Sequence, residues 1–197
     1  MPKSDRRITR ADILPTEQYG AQRRDRRRAL MPEKAKRRLS VGPHATFYFE
    51  SYDTMWLQVH EMLFIEGGGD AQVDDELTAY NPLIPQGHEL VATLMFEIDN
   101  PVRRSEFLAR LGGVEETVGL TVAGQRVAGQ AERDIDRTTA DGKASAVHFI
   151  HFPMTADQVA AFKSGDGEVT LDIGHDAYRH MTVLSPETRT TLAGDLG

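Results

Sequence analysis

The chain has 197 residues, 27% of them charged and 40% hydrophobic, with a formal net charge of −7; this is the composition of a globular protein with one main domain, not of a disordered chain. Its lack of cysteine excludes disulfides, thiolate zinc sites, iron–sulfur ligation and a cysteine nucleophile. The acidic balance argues against a body that coats nucleic acid, and no apolar run approaches the ~18 residues of a membrane span, so a soluble cytoplasmic protein without membrane contact is expected.

Charge divides the chain in two. Residues 1–40 hold 13 Lys or Arg against 5 Asp or Glu, whereas residues 41–197 hold 10 against 25. The expected organisation is a basic helical N-terminal arm (1–40) on a single α+β domain (41–197).

In the arm, Thr16-Glu17-Gln18 is a helix-start signal, predicting a helix over Thr16 to Leu30. Pro32 then opens a second short helix through Arg38, since proline suits a first turn and not a helix interior. In the body, Ala45 to Glu50 is aromatic and β-prone and reads as a strand. Thr54 caps a helix in which Trp56, Val59 and Leu63 recur at spacings of three and four. Gly67-Gly68-Gly69 stops it, and Asp70 caps another helix running to Tyr80. Asn81-Pro82-Leu83-Ile84-Pro85-Gln86-Gly87 is a rigid loop.

Leu90 to Ile98 is a long apolar run, interrupted by Thr93 and Glu97, that reads as a central strand, followed by a helix over Pro101 to Leu111. Thr117 to Val122 and Gln125 to Ala128 form a hairpin, because the intervening Ala123-Gly124 ends in glycine. Asp134 to Lys143 reads as a polar loop. Strands over Ser145 to Phe152 and Glu168 to Ile173 enclose a helix capped by Thr155, and Ser185-Pro186-Glu187 starts a last helix. Hairpin signals without the cadence of a doubly wound fold give α+β: a mostly antiparallel sheet flanked by helices.

The chemistry-bearing residues are few. Gly67-Gly68-Gly69-Asp70 lacks the Lys and Ser/Thr of a phosphate loop, and His60-Glu61 lacks the second zincin histidine, Phe64 standing in its place. Glu61 lies in an apolar helix and either faces water or holds a buried partner. His148 and His151, three apart on a strand, point to opposite faces, with His148 beside Ile150 and Phe152 on the internal one. If Glu61, His148 and His175 converge, they form a mixed carboxylate–imidazole site for iron or another divalent metal; otherwise His148 is a hydrogen-bonded core residue. No nucleophile elbow or Ser-His-Asp order occurs.

The strongest local signal is residues 23–38, with nine cations and two anions. Such a surface takes nucleic acid or an acidic partner, or is a solvated helix, and its lack of aromatic platforms speaks against single-stranded RNA. Glu66, Asp70, Asp74, Asp75 and Glu76 offer an acidic counterpart in the same chain. The arm is therefore expected to dock on its own body or on a second copy, in a homo-oligomer.

The strings Val41-Gly42-Pro43-His44, Glu61-Met62-Leu63, Glu76-Leu77-Thr78-Ala79-Tyr80-Asn81-Pro82-Leu83-Ile84-Pro85 and Ser145-Ala146-Val147-His148-Phe149 resemble the bacterial family known as domain of unknown function 3501, over nearly the whole chain. Glu61, Glu76, Tyr80, Asn81, His148, His175 and Tyr178 match its pattern, while His60 and Phe64 stand where the family usually has glutamine and arginine. The resemblance implies gene neighbourhoods with rubrerythrin-like and iron–sulfur proteins, and hence partners of that kind. The function expected from it is an accessory protein of a redox or peroxide-defence system that binds a metal ion. The alternative is a non-catalytic interaction module that docks through its basic arm.

Overall fold

A computed structural model describes residues 4–132 and 143–197. A 3-10 turn (Arg10–Asp12) precedes helix α1 (Thr16–Lys36), and strands β1 (Arg38–Val41) and β2 (Ala45–Phe49) lead into α2 (Tyr52–Glu66) and α3 (Asp70–Tyr80). Then follow β3 (Glu89–Phe96), α4 (Pro101–Leu108), β4 (Val118–Val122), β5 (Gln125–Ala128), β6 (Gln130–Ala131), β7 (Val147–Pro153), α5 (Ala156–Ser164), β8 (Val169–His175), β9 (Tyr178–Val183) and α6 (Pro186–Ala193). The fold is α+β, with two sheets of order β1-β2-β3-β7-β6 and β5-β4-β8-β9. Every strand pairing within them is antiparallel.

The alternation of β3 explains how the layers assemble. Leu90, Ala92, Leu94 and Phe96 face the second sheet and join Leu120, Leu171 and Ile173 in the main core. Val91 points the other way, into a smaller cluster with Met55, Val59 and Leu63 of α2 and Val73 of α3. β3 is the middle strand of its sheet, as its long apolar run, interrupted by Thr93, predicted. The expected hairpin is β4–β5, whose Ala123 and Gly124 both have positive φ, 49° and 74°, the two-residue geometry that suits strand twist. Gly129 separates β5 from β6, so one extended stretch passes from the second sheet to the first.

Tyr178 joins the sheets at the far end. Its hydroxyl donates to Val41 O at 2.7 Å and accepts from His44 N and Ala45 N at 3.0 Å each. Gly42 makes that approach possible: its φ is +72° and a Cβ there would meet Tyr178 Oη at 2.6 Å, which accounts for the Val41-Gly42-Pro43-His44 string.

Several expectations differ, among them the helix expected over Pro101 to Leu111, which ends at Leu108. The arm carries one helix, not two, because Pro32 is accommodated inside α1. Its ring removes the hydrogen bond to the Arg28 carbonyl on an exposed side of the helix, where water can serve that oxygen. The cap of α2 is Ser51, with Thr54 as the third residue of a reciprocal capping box. β1 and β9, whose mostly polar residues gave no strand signal in the sequence, pack side by side, Thr182 Oγ1 donating to Ser40 O at 2.8 Å. The predicted polar loop falls mostly on residues 133–142, outside the described residues. Among the described residues, no helix is long and apolar enough to cross a membrane.

Candidate functional site

Helix α2 turns Trp56, His60, Glu61 and Phe64 toward the arm: Trp56, His60 and Phe64 recur every four residues and Glu61 lies three before Phe64, spacings that keep side chains on one side of a helix. Tyr19, the one buried side chain of α1, donates its hydroxyl to Glu61 Oε1 at 2.6 Å. Arg23 grips the same carboxylate with two nitrogens, at 2.9 and 2.8 Å, and Arg27 stands 3.8 Å away. Arg26 lies over the Trp56 ring at 4.7 Å. The Trp56 indole donates to Asp12 O at 3.0 Å and stacks on His60 at 3.7 Å between centroids. Leu14 N donates to His60 Nε2 at 3.0 Å; this nitrogen is therefore the acceptor, and Nδ1 carries the proton facing Trp56 O at 2.8 Å.

The electrostatics follow from these contacts. Hydrogen bonding from Arg23 holds the Glu61 carboxyl down at about 2, despite partial burial. Desolvation pushes His60 below its ordinary value, and it pushes the Tyr19 phenol up, Glu61 adding to the effect. Of the two alternatives for Glu61, the structure takes the partnered one.

The expected ligands Glu61, His148 and His175 are not brought together. Glu61 lies on the helical side of the first sheet. His148 is fully buried on the opposite face, its Nε2 facing Ser145 O at 2.9 Å and its Nδ1 3.8 Å from Glu115. His175 ends β8, with Nδ1 accepting from Ala177 N at 3.2 Å and Nε2 3.3 Å from Gly112 O. The first sheet stands between Glu61 and His148, so one ion cannot join them. Among the described residues no group of three or more His, Asp or Glu side chains is arranged to hold a metal ion. Glu61, His148 and His175 therefore do not make up one donor set for the expected iron-type ion.

Two clusters escaped the sequence reading. His151, on the face opposite His148, has Glu132 3.6 Å from Nε2 and Glu89 3.1 Å from Nδ1; the two carboxylates raise its pKa to about 9. Register pairs Val91 with His151 and Glu89 with Pro153, a juxtaposition that no sequence spacing announces. Arg37, 6% exposed, is held by Glu33 Oε1 at 2.8 Å and by both Asp195 oxygens. Behind it Glu50 is buried, accepting from Thr54 and Thr93 hydroxyls at 2.6 Å each, and burial pushes its pKa up.

The basic arm thus lies on its own body, by contacts the charge count did not single out. Lys36 reaches Glu187 at 3.4 Å and Arg38 reaches Glu97 at 3.3 Å. Within the acidic stretch 66–76, Asp70 and Asp74 take Arg10, which precedes the cationic run. What remains outward on α1 is a cationic ridge: Arg24 is exposed, the side chains of Arg27 and Arg28 are 55% and 66% exposed, and Met31 is 65% exposed beside them.

Comparison with known proteins agrees with this fold. A crystal structure of a novel protein of unknown function from Burkholderia pseudomallei K96243 superposes with a TM-score of 0.89 at 36% sequence identity, covering 96% of this chain and 99% of that one. No curated protein matches the chain. The profile of the family described as protein of unknown function (DUF3501) matches residues 7–196. With that match spanning both sheets, the arm helix and the Tyr80 to Pro85 loop, the chain belongs to the DUF3501 family.

Proposed function

We propose that this protein is a cytoplasmic, non-catalytic interaction module that docks an acidic protein surface through the outward ridge of α1, as an accessory of a bacterial redox or peroxide-defence system. The observation that carries the reading is the helix itself. α1 spans 21 residues, yet Tyr19 is its only buried side chain. A helix polar on nearly all sides derives little stability from burial, and this one is held instead by Arg23, Arg26 and Arg37 on its inner side. Of its outer arginines, Arg27 only touches that anchoring, 3.8 Å from Glu61, and Arg28 has Asp25 3.5 Å away on the exposed surface. They form a compact ridge suited to carboxylates, which arginine grips with two parallel hydrogen bonds.

The test uses the full chain and, as probes, a purified rubrerythrin-like protein and a purified iron–sulfur protein. Calorimetry is expected to show binding to one of them that weakens with salt and falls about tenfold or more on Arg24→Glu with Arg28→Glu. Absence of binding to these proteins, or unchanged binding in the double variant, refutes the reading. Preferential binding to a DNA duplex supports the nucleic-acid alternative for residues 23–38. One tightly held metal ion per purified chain, by elemental analysis, favours the metal-binding alternative.

A further inference from the structure

Resting on the reading of α1 as a docking helix, we infer that the element it receives is an amphipathic helix of another protein, apolar at both ends of its contact and acidic between them. That helix lies along a seam which α1 and Phe64 of α2 make together. Gly20, Arg24, Arg27 and Met31 recur at intervals of four, three and four residues, the spacing by which helices meet along a shared line. They stand in one row over three turns of α1, about 16 Å. Gly20 has no side chain to contribute, and Phe64 fills its place: a Cβ there would meet Phe64 Cε2 at 2.8 Å. The ring is fixed by Tyr19, edge-on with centroids 6.1 Å apart, and by the Arg23 guanidinium, 4.9 Å from its centroid. From one end to the other the seam therefore reads Phe64, Arg24, Arg27 and Met31, with Arg28 alongside.

Two observations point from this row to what it meets. The first is its apolar ends. Met31 is 65% and Phe64 37% exposed; a single exposed apolar side chain is ordinary, but these two close both ends of a row of cations, on a helix that buries only Tyr19. The second is its charge. Arg23 grips Glu61, Arg27 stands 3.8 Å from the same carboxylate, and Asp25 lies 3.5 Å from Arg28. Among the described residues the four arginines 23, 24, 27 and 28 thus share the carboxylates of Glu61 and Asp25, and the row keeps an excess of positive charge for a partner to match.

A helix fits the row because its own side chains recur at three and four residues, with the same rise. Side chains on one face of a strand advance in steps of about 6.6 Å and fall out of step with Arg27 and Met31. The α1 helix of a second copy would set arginine against arginine, and in α3 the carboxylates of Asp70 and Asp74 are already held by Arg10. The complementary pattern is Leu-x-x-x-Glu-x-x-Glu-x-x-x-Leu, where any large apolar residue serves for leucine and aspartate for glutamate.

The probe is a synthetic helical peptide of about 20 residues that carries this pattern, with a scrambled peptide of the same composition as control. Calorimetry on the full chain is expected to show the patterned peptide binding at least tenfold more tightly than the scrambled one. Met31→Gln, at an exposed position that leaves folding intact, should weaken binding about tenfold and keep its salt dependence. Arg24→Glu should weaken binding and flatten the salt dependence, and Ala29→Gln, on the opposite side of α1, should change neither. Equal affinity for the two peptides overturns the inference, as does patterned-peptide binding that Met31→Gln leaves unchanged. The same variants, applied to the rubrerythrin-like and iron–sulfur probes, separate the two readings. Binding that is lost in the Arg24→Glu, Arg28→Glu chain and kept in Met31→Gln upholds the ridge and overturns the seam. Binding of the patterned peptide, with neither protein bound, upholds the seam and refutes those partners.

Discussion

The core between the two sheets and the seam between α1 and α2 hold the molecule by different means. In the core, Phe47, Leu94, Leu120, Ile150, Phe152 and Leu171 are wholly buried and offer no polar atoms, so stability scales with the apolar surface removed from water. Along the seam the holding groups are one carboxylate, three arginines, an indole and an imidazole, each matched to a particular partner. An apolar core tolerates exchange among residues of similar volume. A polar seam depends on the identity and charge of each partner, and it leaves the rest of its helix free to meet another molecule.

The largest effect tests the point where seam and body join. Arg37→Ala should cost about 3–5 kcal/mol in chemical denaturation, because it leaves Asp195 buried without its cation. Replacing both partners with apolar residues, Arg37→Met with Asp195→Leu, should cost much less. Equal losses in the two experiments would show that the pair stabilises by more than mutual neutralisation. Leu94→Ala, at the centre of β3 and 0% exposed, should cost about 2–5 kcal/mol. A loss well under 1 kcal/mol would remove β3 from the centre of the core.

Glu61→Gln should cost about 1–2 kcal/mol, discounted for partial solvent screening, and hydrogen exchange should then quicken in α1 while β3 amides stay protected. The same site sets an acid limit. Glu61 has its pKa lowered from 4.5 to about 2 on folding, so its contribution is complete above 4.5 and is lost as pH falls through 2. In the Glu61→Gln variant that part of the acid sensitivity should vanish, and its persistence would contradict the ion pair. The smallest effect belongs to His151, raised from 6.5 to about 9. Its contribution, about 1 kcal/mol, is complete below 6.5 and disappears as pH rises through 9. His151→Gln should flatten stability between those limits, and a pH profile identical to that of the parent chain would discard the Glu89–His151–Glu132 cluster.

Much of the architecture was legible because its signals are local. The apolar run of β3, the glycine of the β4–β5 turn, the caps at Thr155 and Ser185 and the opposed faces of His148 and His151 all follow from a spacing of two, three or four residues. The uneven charge likewise announced a basic arm before an acidic body. Long-range identity was not legible. Nothing near Glu61 in the sequence points to Tyr19 and Arg23, and nothing near Arg37 points to Asp195. The expected meeting of Glu61, His148 and His175 lacked any information about which side of the sheet each would occupy. Periodicity fixes which face a side chain takes within its own element. Only the packing of elements distant in the chain decides which faces meet, and with that which carboxylate finds which cation.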